Sequence, residues 1–150
     1  MDNKFFIRQM TTILQPYGFK KHRTNRWIYE GEEISEVIEL QKSYISNLYY
    51  FMYGFMINAI SPQHPNIHGH LDVMKMGGLS MEEWKELQQL CDLETGMDEE
   101  LRISRIKRLV GLMLKSIQGK IDTEEKAKQY LVESRLPLPY YIINYFNLKS

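Results

Sequence analysis

Between Glu36 and Asn58 the chain runs EVIELQKSYISNLYYFMYGFMIN, two long apolar stretches joined by a short polar break. The pattern predicts a β-hairpin at the centre of a small domain. From Tyr49 to Asn58 both parities are apolar, with Tyr49, Phe51, Tyr53, Phe55 and Ile57 on one and Tyr50, Met52 and Met56 on the other. A strand apolar on both faces is covered on both, by helices or by a partner chain, which places this one centrally in its sheet. In the preceding stretch, Ile34 to Gln41, Ile34, Ile38 and Leu40 share one parity and Val37 takes the other. Trp27-Ile28-Tyr29 reads as an earlier strand that turns at Glu30-Gly31-Glu32. A fourth is expected from Ile67 to Met76, where Ile67, Leu71 and Val73 alternate with His68, His70 and Asp72.

Helical spacing flanks this block. Phe6, Met10, Ile13 and Leu14 recur three and four apart over residues 3–16, and Pro16-Tyr17-Gly18 stops the helix, glycine being suited to a left-handed exit. After Gly77-Gly78, Ser80 and Glu83 form a capping box, with Trp84, Leu87 and Cys91 on one face of the helix that follows. Asp98 caps a longer helix carrying Ile103, Ile106, Val110, Met113 and Ile117, and Asp122 with Glu125 opens another containing Ala127 and Leu131. Leu136-Pro137-Leu138-Pro139 is extended, because proline disfavours helix at the residue before it. Tyr140 to Phe146 is long enough for a last turn or two. Helix, antiparallel sheet of about four strands, then helices is an α+β order. With no internal repeat and no linker, residues 1–150 read as one domain.

Composition narrows the function classes. Nineteen Lys and Arg balance nineteen Asp and Glu, whereas nucleic-acid binders usually carry a basic excess that neutralises phosphates. Cys91 is the only cysteine, so neither an intrachain disulfide nor a thiolate metal cluster can form. MDNKFFIRQM has no apolar core or small-residue cleavage site, and is expected not to be a signal peptide. The longest apolar run, Leu48 to Ile57, is too short to span a bilayer. A cytoplasmic protein is expected.

Three sets of residues carry candidate chemistry. His64, His68, His70 and Asp72 gather three of the four histidines. On a strand, positions two apart project from one face, so His68, His70 and Asp72 would converge, and two imidazoles with a carboxylate suit zinc or iron(II). The string is similar to the first metal motif of metallo-β-lactamase-like hydrolases, but Val73 stands where the next His should follow. The competing expectation is the solvated face of an edge strand. The second set, Lys20, Lys21, His22, Arg23 and Arg26 beside Trp27 and Tyr29, interleaves charge with aromatic surface and could bind a phosphate or single-stranded nucleic acid. As a plain helix-to-strand connection it would be equally ordinary. In the third, Gln41-Lys42-Ser43 reads as a turn entrance. Cys91 on an apolar helical face behaves as a small hydrophobe rather than a nucleophile. No catalytic motif is complete: there is no Gly-x-Ser-x-Gly, phosphate-binding glycine loop or His-Glu-x-x-His.

Together, YGFKK (Tyr17 to Lys21), the strand at Trp27-Ile28-Tyr29, VIELQKS (Val37 to Ser43) and YYFMYGFMIN (Tyr49 to Asn58) resemble domain-of-unknown-function family 4304, found mainly in bacteria. Members of that family show Gly-Phe-Lys-Lys, a strand ending Leu-Gln-Lys-Ser, then an aromatic strand leading to Asn and Gly. The likeness extends to about Pro62 and departs at Ile57-Asn58-Ala59, where members often have Asn-Leu-Gly; the histidine cluster is outside the pattern. The resemblance implies an α+β domain and lends no activity. The chain is therefore expected to be a non-enzymatic, protein-binding module without a cofactor, its partner another protein or a second copy of itself. Small bacterial α+β domains occur among immunity proteins of toxin systems, so an inhibitor that occludes a toxin is one form this module could take. Tyr49, Tyr50 and Tyr53 are the candidate anchors, since aromatic residues dominate interface hot spots, with burial in the core as the alternative for all three. A metal-dependent hydrolase built on His68, His70, Asp72 and His64 is the competing reading, and anion binding by Lys20, Lys21, Arg23 and Arg26 the third.

Overall fold

A computed structural model describes residues 1–148. Its centre is the expected hairpin, β3 (Ile34–Lys42) and β4 (Tyr49–Ile57), paired antiparallel in unbroken register from Ile34 opposite Ile57 to Lys42 opposite Tyr49. Register is firm because one face is fully buried, and a slip of one residue would expose all of it. That face carries Ile34, Ile38, Leu40, Phe51, Tyr53, Phe55 and Ile57, all in one apolar cluster.

Among the described residues the sheet has five antiparallel strands, in sequential order, where about four are expected, and the α+β order holds. The addition is β1 (Lys20–Arg23), which pairs with β2 (Arg26–Tyr29) and is exposed at every position. The basic segment is thus an edge strand rather than a connection, and its lysines discourage another chain from adding to it. Its presence makes β3 the middle strand in place of β4. The expected strand from Ile67 to Met76 shrinks to β5, Gly69–His70. Leu71 N–H still donates to Tyr53 O (2.9 Å), after which Asp72 turns the chain by accepting from Lys75 N–H at Oδ1 (3.1 Å) and Met76 N–H at its carbonyl (2.9 Å). Leu71 and Val73 are buried all the same. Their alternation with polar residues marks a turn that drops two side chains into the core.

Helices cover the apolar face. In α1 (Asn3–Leu14), Asp2 caps Phe5 N–H at 3.1 Å, and after a 3-10 turn the chain leaves through Gly18 at φ +87°. Trp27 Nε1–H donates to Thr11 Oγ1 (3.0 Å), seating α1 on β2. The capping box opens α2 (Met81–Leu90) as expected, with both reciprocal bonds formed. Gln88 clasps the backbone of Phe51 through both amide atoms, while Trp84 meets the Phe51 ring edge-on. Asp98 caps α3 (Glu99–Ile117). The cap of α4 (Glu124–Ser134) is Thr123; Asp122, expected to open this helix, instead pairs with Lys126 at 2.8 Å. The last helix is α5 (Tyr140–Phe146). Among the described residues no helix is long and apolar enough to cross a membrane.

Arg102 on α3 is only 1% exposed, a residue type rarely buried so fully. It lies one turn before Ile106, and its guanidinium donates to Leu90 O (2.6 Å), Asp92 O (3.0 Å), Thr95 O (2.8 Å) and Thr95 Oγ1 (3.1 Å). These acceptors belong to the C-terminal end of α2 and the loop after it, where carbonyls have no intrahelical donor. Arg102 therefore ties α2 to α3.

The opposite face of the sheet is half covered. The connection 58–67 folds across its lower end, where Arg26 Nη1–H donates to Pro65 O (2.8 Å). At the upper end Gln41 and Tyr50 face solvent.

Candidate functional site

The histidines do not converge. His68 is buried; its Nδ1 accepts from Ile57 N–H (2.8 Å), so the proton sits on Nε2 and is donated to His64 O (2.7 Å). Both ring nitrogens are consumed by backbone, and burial pushes the His68 pKa below its ordinary value, keeping the ring neutral. The His64 ring stacks on Tyr141 of α5, centroids 3.9 Å apart. His70 and Asp72 are exposed, and Asp72 lies in the turn beyond the strand. No group of three His, Cys, Asp or Glu side chains among the described residues is placed to hold a metal. Of the metal set, His64 and His68 form a structural clasp between β4, the connection and α5, and His70 and Asp72 stand apart from it in solvent. The spacing argument failed because the strand ends at His70.

Two of the three candidate tyrosine anchors are core residues. Tyr49 packs on Phe6 (5.5 Å), and the buried Tyr53 hydroxyl donates to Glu36. Only Tyr50 reaches solvent, at 49% exposure. Among the described residues the most exposed large apolar side chains are Tyr44, fully exposed, and Ile45, at 95%, both on the tip between β3 and β4, ahead of Tyr140 and Leu136 near α5. This tip is braced. Ser43 N–H donates to Leu48 O (2.8 Å), Asn47 N–H to Glu94 Oε1 (2.9 Å), and Leu93 N–H to Asn47 O (2.9 Å), tying its base to the loop before α3. An apolar pair interrupting a polar turn was the signal for it in the sequence.

The basic set is divided between environments. Lys20, Lys21 and Arg23 are exposed on β1, but Arg26 is buried and turned toward Glu39 (3.4 Å) and Pro65 O. It stabilises the covered end of the sheet and is not offered to a ligand. Lys21 stands opposite Trp27, next to Lys4 and Arg8 of α1, two cations the basic segment alone did not reveal.

With the sheet, tip and helices placed, comparison gives one result: the family described as domain of unknown function (DUF4304) matches residues 10–118. The chain belongs to this family. No curated protein and no solved structure matches it. The DUF4304 match runs from α1 to the residue after α3, so it contains the whole sheet, the hairpin tip and Arg102, while α4 and α5 lie outside it.

Two further groups in the DUF4304 domain have unusual surroundings. Cys91 is fully buried, which pushes its thiol up to about 12 and leaves it unreactive. Glu36 is a carboxyl on the apolar face of β3, sharing parity with Ile34 and Ile38. It accepts from Tyr53 Oη–H and from Gly119 N–H (2.7 Å), fixing the exit of α3 onto the sheet. Burial raises its pKa, outweighing the two hydrogen bonds that favour the anion; Asp122 nearby adds to the rise. A carboxyl whose folded pKa is raised stabilises the fold fully below the unfolded carboxylate range, and that contribution is lost as pH climbs through the folded value. Glu36→Gln is therefore expected to melt above the wild type at neutral pH, with the gap closing toward about pH 4. Thermal unfolding of both proteins across that range checks the sign; a gap that grows toward acid would mean the two hydrogen bonds outweigh burial.

Proposed function

We propose that this DUF4304 domain is a non-enzymatic protein-binding module that offers the β3–β4 hairpin tip to another protein, in the manner of an immunity-type inhibitor occluding a toxin. The proposed setting is the bacterial cytoplasm. The supporting observation is the pair Tyr44 and Ile45, left in solvent on a tip whose base is held by hydrogen bonds. Burying such side chains in a partner recovers about 1.5–3 kcal/mol each, and the bracing means little ordering entropy is lost on docking. Tyr is also among the residue types that dominate hot spots.

The test compares wild type with a Tyr44→Ser/Ile45→Ser variant, first in affinity capture from host cells and then with the purified captured protein. The expected result is a partner whose binding weakens about 100-fold in the variant, the effect of losing about 2.7 kcal/mol at two anchors. Equal binding by wild type and variant overturns the assignment of the tip. Turnover of a substrate that depends on one named side chain overturns the non-enzymatic reading. If the partner is a second copy, the wild type alone will sediment as a concentration-dependent dimer and the variant will not.

A further inference from the structure

Trp27 and Thr11 decide what faces β1. The bond from Trp27 Nε1–H to Thr11 Oγ1 sets the helix against β2, and Lys21, paired with Trp27, comes off the same side of the sheet. Counting back along α1 from Thr11, positions three and seven earlier are Arg8 and Lys4, which stack along one face of the helix. The three cations therefore line one hollow of about 320 Å³, with Asn3, Thr24 and Tyr49 as neutral polar groups around them. Lys4, Arg8 and Lys21 make no salt bridge among the described residues, and no acidic side chain lines the hollow. The carboxylate beside it is Asp2, which caps Phe5 N–H and, keeping its charge, offsets one of the three cations, so positive charge stays in excess. Three unpaired like charges from two elements repel one another and are stabilised by an anion between them.

We infer that this hollow is a binding site for a small phosphate monoester, held by Arg8 as a planar fork and by Lys4 and Lys21 as point charges, with the Tyr49 hydroxyl beneath. Three cations match a dianionic phosphate better than a single carboxylate, and an Arg presents paired donors in the spacing of phosphate oxygens. The size of the hollow suits a compact ligand. A single-stranded nucleic acid would need a charged track with stacking platforms along it. Here Arg26 is buried in an ion pair and Lys20, paired with Ile28, comes off the other side of the sheet. The site is independent of the tip at Tyr44 and Ile45, and stands or falls without it.

The experiment is a ¹⁵N-resolved NMR titration of the full chain with phenyl phosphate at constant ionic strength, chloride replacing it in the control. Saturable shifts are expected at the amides of 3–8, 21–24 and 49. Arg8→Ala and Lys21→Ala should each weaken binding about tenfold, as loss of one charge-assisted hydrogen bond implies, while Lys20→Ala should leave it unchanged. All three side chains are exposed, so the variants will fold. Shifts that never saturate, that chloride reproduces, or that saturate at the same concentration in Arg8→Ala overturn the site. Tighter binding of a thymidine oligonucleotide than of phenyl phosphate, lost in the same variants, overturns the small-ligand assignment.

Discussion

Arg102→Met is expected to lower the unfolding free energy by about 3 kcal/mol, since Leu90 O and Thr95 O lose the guanidinium as donor and a buried group left unsatisfied costs about 1–3 kcal/mol. For a chain of this length that is roughly a 6–12 °C drop in the midpoint of thermal unfolding. Burying a guanidinium is itself costly, and here no carboxylate accepts from it. The carbonyls decide the balance: Leu90 O stays buried whichever residue occupies position 102, whereas Asp92 O keeps the Thr95 hydroxyl as a donor (2.8 Å) and Thr95 O lies in the loop after α2. Met matches the length of the stem but supplies no proton. Calorimetry of the two proteins measures the difference, and an unchanged midpoint would mean that the guanidinium's desolvation cancels all of its bonds.

The second large effect is at Trp27. It is fully buried, and Trp27→Ala should cost about 3–5 kcal/mol through lost packing and the cavity that remains. Trp27→Phe keeps most of the apolar area and removes the N–H to Thr11, so about 1 kcal/mol is expected. Urea unfolding followed by far-ultraviolet circular dichroism separates the two. Equal losses would show that the hydrogen bond, rather than volume, anchors α1 to the sheet.

The hairpin was legible because Ile34, Ile38 and Leu40 keep a period of two that only a sheet with one dry face requires. The capping box at Ser80 and Glu83 was legible because it is a purely local device. β1 was hidden because all four of its residues are solvated, so no apolar period marks it. The turn at 71–78 mimicked a strand because alternation records which side chains are buried, not which backbone groups pair. Arg102 sits in the same stripe as Ile106 and Val110, and a charge in that stripe was a readable warning; its partners, ten or so residues earlier, were not. The same holds for Glu36 between Ile34 and Ile38. For the candidate sites, spacing alone grouped His68 and His70 with Asp72, which lies beyond the end of β5, and it missed Lys4 and Arg8 because they lie on a different element from Lys21.

The order of the elements along the chain has a consequence during synthesis. All five strands lie within residues 20–70 and each pairs with its sequence neighbour, so the sheet can assemble as soon as it emerges. Three of its covering helices, α2, α3 and α4, extend from Met81 to Ser134. At about 5–20 residues per second, several seconds separate a finished sheet from its cover. During that interval Phe51 and Phe55 lack Trp84 of α2 and Tyr130 of α4, the rings that meet them in the finished fold, while the solvated lysines of β1 guard the first-formed edge.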